Sequence, residues 1–156
     1  MPLGKRTLII GCGNQPSGNA VNHDITKHSP EIDVAHDLNN LPWPWGDNSF
    51  DFIVARAVFE HLTFDLMVAM NEAWRIGAPG CVIDVKLPYW RSEVSYNDPT
   101  HHYAVGLGVF DQFDPSTRRG GEYTFYTHCK WRILQCGLNK GGTSVLAKLK
   151  SLKGAE

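Results

Sequence analysis

Very little sequence separates the first apolar runs of this chain, and that limits the folds open to it. Residues 7–10, 20–23, 33–36 and 51–55 read as short strands, and residues 81–87 as a fifth. Ten residues lie between Gly13 and Asp24, Pro16 and Gly18 among them; eight lie between Asp24 and Asp33, Pro30 among them. Residues 38–49 carry Pro42 and Pro44. A crossover between parallel strands needs about a dozen residues or more when it contains a helix. The first three crossovers are therefore expected to be loops or single turns. One face of the sheet is then left nearly bare.

Elsewhere the pattern is α/β. A helix is expected over residues 64–76, where Leu66, Ala69, Met70, Ala73 and Trp74 recur at three- and four-residue spacing and Gly77 and Pro79 end the run. A second, weaker helix is expected over residues 105–113. Residues 130–138 and 144–150 flank Asn139-Lys-Gly-Gly142 and suit an antiparallel hairpin, with a helix over 127–136 as the competing reading. With 156 residues the chain has the size of a single domain.

The most informative motif is Leu8-Ile-Ile-Gly-Cys-Gly-Asn14, followed by Asp24 and then by Asp37-Leu38. An apolar strand running into a Gly-x-Gly turn lets backbone approach a ligand closely, because glycine adopts the turn and offers no side chain to clash. An acid at the end of the next strand is placed to accept from ribose hydroxyls. A second acid, one strand further, can meet an adenine amine. Taken singly, strand-end acids cap turns; the ordered pair behind a glycine turn favours ligand binding.

Together with Leu41-Pro-Trp-Pro-Trp-Gly-Asp-Asn-Ser-Phe-Asp51, Val58-Phe-Glu-His-Leu62 and Ala73-Trp-Arg-Ile-Gly-Ala-Pro-Gly80, these residues resemble a class I S-adenosylmethionine-dependent methyltransferase. The likeness runs from about residue 7 to 90, and Asp98-Pro-Thr-His101 resembles a small branch of the same family. It implies a Rossmann-like, mostly parallel sheet closed by a C-terminal antiparallel hairpin. The implied cofactor is S-adenosyl-L-methionine, giving S-adenosyl-L-homocysteine, held by Gly11, Cys12, Gly13, Asn14, Asp24, Asp37, Leu38 and Arg56. In that arrangement the Gly11–Gly13 turn supplies amides and room, and backbone at Ala55 or Arg56 meets the methionine part. Two positions depart from the family pattern. Ile9 stands where an acid or amide is usual, and Gln15 where a third glycine often follows.

On the acceptor side, the polar residues after the fourth and fifth strands are Glu60, His61, Tyr89, Asp98, His101 and Tyr103. His101 is the preferred base, with Glu60 and His61 as further catalytic candidates. No metal site is expected from Asp98 with His101-His102, because adjacent residues on a strand point opposite ways. The expected function is methyl transfer to a small or polar acceptor. The alternative is a non-catalytic module that binds S-adenosylmethionine or S-adenosylhomocysteine, or regulates a partner.

Composition narrows the partners. Fifteen basic and 16 acidic residues give a net charge of −1, which argues against a nucleic-acid substrate. Arg118-Arg-Gly-Gly121 is expected to be a solvated loop, and Lys148, Lys150 and Lys153 a solubilising edge. The four cysteines have no metal-knuckle or disulfide spacing. With no membrane-length apolar run and no signal peptide, a cytoplasmic location is expected. A homodimer, or a partner protein, is expected to cover the bare face.

Overall fold

All five apolar runs form parallel strands in a computed structural model that describes residues 6–155. They are β1 (Thr7–Ile10), β2 (Val21–Asp24), β3 (Val34–Ala35), β4 (Phe50–Arg56) and β5 (Gly77–Pro88). The hairpin β6 (Trp131–Leu138) and β7 (Ser144–Ser151) adds antiparallel at the far edge, giving the order β3-β2-β1-β4-β5-β7-β6. The competing helix over residues 127–136 does not form.

One long helix, α1 (Leu66–Ile76), joins β4 to β5. Asp65 caps it by accepting from the Val68 amide at 3.2 Å, and Leu66, Ala69, Met70, Ala73 and Ile76 are buried from its inner face. The crossovers β1–β2, β2–β3 and β3–β4 contain no helix. Right-handed connections place helices on opposite faces when the chain steps in opposite directions from the central strand. Among the parallel crossovers only the step from β4 to β5 carries one, so only one face is clad.

On that clad face Leu8, Ile10, Ile53, Ala55, Ile83, Val85 and Leu149 lie under α1. Loop aromatics fill the space that further helices would take. Trp43 and Phe59 are each 1% exposed, and Phe110 and Phe113 are also buried. Trp43 thus belongs to the core. Glu72 and Arg75 of α1 hold their loop. The Trp43 amide donates to Glu72 at 2.9 Å, and Arg75 donates to Glu72 at 2.8 Å, to the Trp45 carbonyl at 2.9 Å and to Asp47 at 3.0 Å.

The opposite face carries Ile9, Phe52, Val54 and Val82, half-buried and outside the core cluster. Arg56 crosses it to reach Asp84 at 2.7 Å.

Three local expectations are corrected. Residues 105–113 do not form a helix: Val105 bridges to Tyr89, turns follow at Gly106 and Gly108, and only Asp111–Phe113 makes a single helical turn. The Arg-Arg-Gly-Gly run is not a loop but a short helix, Arg118–Glu122. Thr117 caps it, and a Cβ at the buried Gly120 would overlap the Asp114 carbonyl. Lys153 is not a solubilising residue. Its ammonium donates to the Gly77 carbonyl at 2.6 Å and the Arg75 carbonyl at 3.1 Å, closing the C-terminal end of α1. No helix among the described residues is long and apolar enough to cross a membrane.

Candidate active site

The chain reverses its stepping direction between β1 and β4, and a cavity of about 260 Å³ opens at the C-terminal ends of these strands. Its walls come from Gly11 after β1; His23, Asp24 and Ile25 at the end of β2; and His36, Asp37, Leu38 and Asn39 after β3. Ala57, Val58, His61 and Leu62 after β4 complete it. Gly11 has φ +62°, and a Cβ there would stand 2.5 Å from Val58 Cγ2. The first glycine is therefore needed both for the turn and for the close approach of the next segment.

The amides of this turn are already spent. The Gly11 amide donates to His23 Nδ1 at 3.3 Å, the Cys12 amide to the His23 carbonyl at 2.9 Å, and the Gly13 amide to Asp24 Oδ2 at 2.8 Å. With no helix after β1, the turn satisfies its own N–H groups against β2. Gly11–Gly13 thus give room but no free donors, which corrects the expectation of amides aimed at a ligand. Cys12 is buried, and Cys12, Gly13 and Asn14 do not line the cavity. Arg56 does not line it either. Its guanidinium lies on the open face with Asp84, and the β4 segment reaches the cavity one residue later, at Ala57.

Asp24 and Asp37 both face the cavity. Burial acts to raise the Asp24 carboxyl, but the amides of Gly13 and Ile25 together with His28 outweigh it and hold the group below its ordinary value. Asp37 Oδ1 accepts from the Asn39 amide at 2.9 Å, so it also caps its own turn. Each carboxylate offers about four acceptor positions, so both retain capacity for a ligand.

Sequence reasoning missed His23. Its Nδ1 faces the Gly11 amide and its Nε2 faces the His36 carbonyl at 2.8 Å, a pattern that requires a neutral ring protonated on Nε2. Burial pushes its pKa down. Ile25, Ala57 and Val58 were missed as well. No residue pattern marks them, because they enter the cavity only through the β2 and β4 turns.

The three catalytic candidates come together beside the cavity. His61 lines it, whereas His101 lies behind, its ring 4.7 Å from that of His61 and its Nε2 4.0 Å from Glu60 Oε1. His101 opens instead into an adjoining groove lined by Val94, Asn97, Asp98 and Pro99. Two backbone ties fix these segments: the His102 amide donates to the Glu60 carbonyl at 2.8 Å, and the Tyr103 hydroxyl to the Phe59 carbonyl at 3.1 Å. Glu60 is 2% exposed, and burial raises its pKa. Burial lowers that of His61, with the neighbouring His101 acting in the same direction. Tyr89 is held elsewhere, bridging to Val105.

Comparison with known proteins agrees with this geometry. A family model described as a methyltransferase domain matches residues 9–83. A structure of an S-adenosylmethionine-dependent methyltransferase from Methanosarcina mazei is similar at 16% identity and TM-score 0.57, covering 95% of this chain and 92% of that one. A putative methyltransferase from Bacillus halodurans is similar at 13% identity and TM-score 0.62, covering 94% and 92%. A complex of the Haloferax volcanii Trm112 methyltransferase activator with a putative methyltransferase gives 13% identity and TM-score 0.64, covering 97% and 85%. At such identities the structural likenesses establish the fold. No curated protein matches the sequence significantly.

Proposed function

We propose, from the premise that this chain belongs to the class I S-adenosylmethionine-dependent methyltransferases, that it methylates a small polar acceptor bound in the groove beside His101. The observation that carries this reading is the His61–His101 contact at 4.7 Å, which joins the cavity behind Gly11 to the groove lined by Asp98 and His101.

The cavity residues suit the adenosyl group. Gly11 lets Val58 close against the turn at the cavity wall, Asp24 retains acceptor capacity for the ribose hydroxyls, and Asp37 does so for an adenine amine. Leu38, Ile25 and Leu62 offer apolar surface to the ring. When bound, S-adenosylmethionine supplies a methyl group already activated on a sulfonium. The protein then has chiefly to align the acceptor and to accommodate any proton it loses. His61, on the cavity wall, is the one of the three catalytic candidates that reaches the cofactor side. His101 and Glu60 stand behind it and fix its surroundings.

A non-catalytic binding or regulatory role has one observation in its favour. All three amides of the Gly11–Gly13 turn are engaged by β2, which removes the donors that would anchor a ligand carboxylate. Release of S-adenosylhomocysteine separates the two readings. Incubated with S-adenosylmethionine and a panel of small hydroxyl, amine and carboxylate acceptors, the protein should form S-adenosylhomocysteine with at least one. His61→Ala should lower that rate about 100-fold while cofactor still binds. Tight cofactor binding with no turnover on any acceptor would support the regulatory reading instead.

The open face fits a second copy of the chain. The apolar strip of Ile9, Phe52, Val54 and Val82 is centred on β4. Glu31 and Asp33 lie at the β2–β3 edge, and Arg132, Lys148 and Lys150 toward the β7–β6 edge. A two-fold axis along the strands lays the acidic edge of one copy over the basic edge of the other.

A further inference from the structure

We propose that Glu60, His61 and His101 form a binding site for a divalent first-row transition-metal ion on the acceptor side of the cavity. Its role beside an acceptor rests on the function proposed above; the metal site itself does not.

Each of the three residues offers a ligand atom, and these atoms all lie within 4.8 Å of one another. Around a metal with bonds of about 2.1 Å, ligand atoms sit roughly 3–4 Å apart, so closure requires side-chain shifts of about 1 Å. Glu60 and His61 are adjacent in the chain, but His101 is 40 positions beyond His61. Sequence reasoning tested His101 against its neighbour His102, whereas the fold pairs it with His61.

Hydrogen bonding prepares both imidazoles. The Thr100 hydroxyl has one proton, which it donates to Asp98 at 2.6 Å, so its oxygen accepts from His61 Nδ1 at 2.7 Å. His101 Nδ1 faces the Ser95 carbonyl at 3.0 Å and can only donate to it. Both rings are thereby held as the tautomer protonated on Nδ1, with the Nε2 lone pair free. Metal-binding histidines are oriented in this way, through an outer acceptor on the far nitrogen.

The carboxylate supplies an independent sign. Glu60 is 2% exposed, yet its Oε2 is buried with no hydrogen-bond partner. A buried acceptor left unpaired is destabilising. The companion Oε1 lies 4.0 Å from the free Nε2 of His101, which is an acceptor too, so the carboxylate finds no proton there. A cation satisfies all three groups at once. Asp98 Oδ2, 3.8 Å from His101 Nε2, stands ready as a fourth ligand. Two imidazoles with a carboxylate select zinc, iron, cobalt or manganese over magnesium or calcium, which prefer all-oxygen sites. His61 opens on the cavity and His101 on the groove, so a remaining coordination position can take water or a polar acceptor.

The test is a titration of the metal-stripped full chain with Co²⁺, read by visible absorption, and with Zn²⁺, read by calorimetry. One equivalent should bind with a dissociation constant of about 1 μM or below. His61→Gln and His101→Gln should each weaken binding more than about 100-fold, and Thr100→Val about 10-fold by removing the acceptor that orients His61. His102→Ala should leave it unchanged. His61 is partly exposed, so His61→Gln keeps the test decisive if the more buried His101 variant fails to fold. No binding by the wild type at 0.1 mM metal (about a hundred times the expected constant), or unchanged affinity in His61→Gln, would overturn the site. S-adenosylhomocysteine titrated into the metal-free protein reports separately on the adenosyl cavity.

Discussion

His23 ties the glycine turn to the end of β3. It accepts from Gly11 on one nitrogen and donates to His36 on the other. A second proton on the ring would place two N–H groups against each other at Gly11. Because burial depresses its folded pKa, the unfolded chain takes up the proton first as pH falls. The stabilisation is therefore complete above the unfolded value of about 6.5 and is lost as pH drops from there toward the folded pKa. Between pH 7 and 5, urea unfolding should show a loss of stability that His23→Asn largely removes. An equal slope in both proteins would contradict the assignment. At this scale the sequence was readable where a side chain marks a position: Asp24, Asp37 and His61 all line the cavity. It was silent where backbone decides. Nothing in Gly11-Cys-Gly13 tells that its amides are already bonded to β2, or that Ala57 and not Arg56 turns into the cavity.

Arg75 does at the level of elements what the absent helices would otherwise do. It joins α1 to residues 43–47, and thereby seals Trp43 over the core. Arg75→Met should cost about 2–3 kcal/mol, since it removes charge-assisted hydrogen bonds and leaves Glu72 without its cation. Chemical denaturation would measure this, and a change below about 0.5 kcal/mol would show that the loop holds without the clasp. Loop lengths announced the missing crossover helices, and apolar spacing announced α1. The weak helix expected over 105–113 failed because Gly106 and Gly108 break it and Val105 is drawn into a bridge with Tyr89. The Arg118–Glu122 helix was hidden for the opposite reason: two glycines within it read as a loop, although one is required by packing.

For the whole molecule, the proposal that follows from one bare sheet face is association with a second copy. Segregated edge charges make a face-to-face pair sensitive to salt and to charge reversal. Sedimentation should show a dimer of the 17.4 kDa chain, converted to monomer by Lys148→Glu with Lys150→Glu and without loss of helical signal. A monomer at all concentrations would refer the face to a different protein partner. The bare face itself was foreseen from the short crossovers. The segregation of charge across it needed the strand order.

Everything said of function depends on the cavity between β1 and β4 holding the adenosyl group. The most direct measurement is calorimetric titration of S-adenosylhomocysteine into the purified protein, with Asp24→Asn and Asp37→Ala beside it. The account predicts one site per chain, weakened about 10-fold or more by each substitution, as expected when a charged acceptor is lost. No binding at millimolar ligand, or binding indifferent to both substitutions, would contradict it.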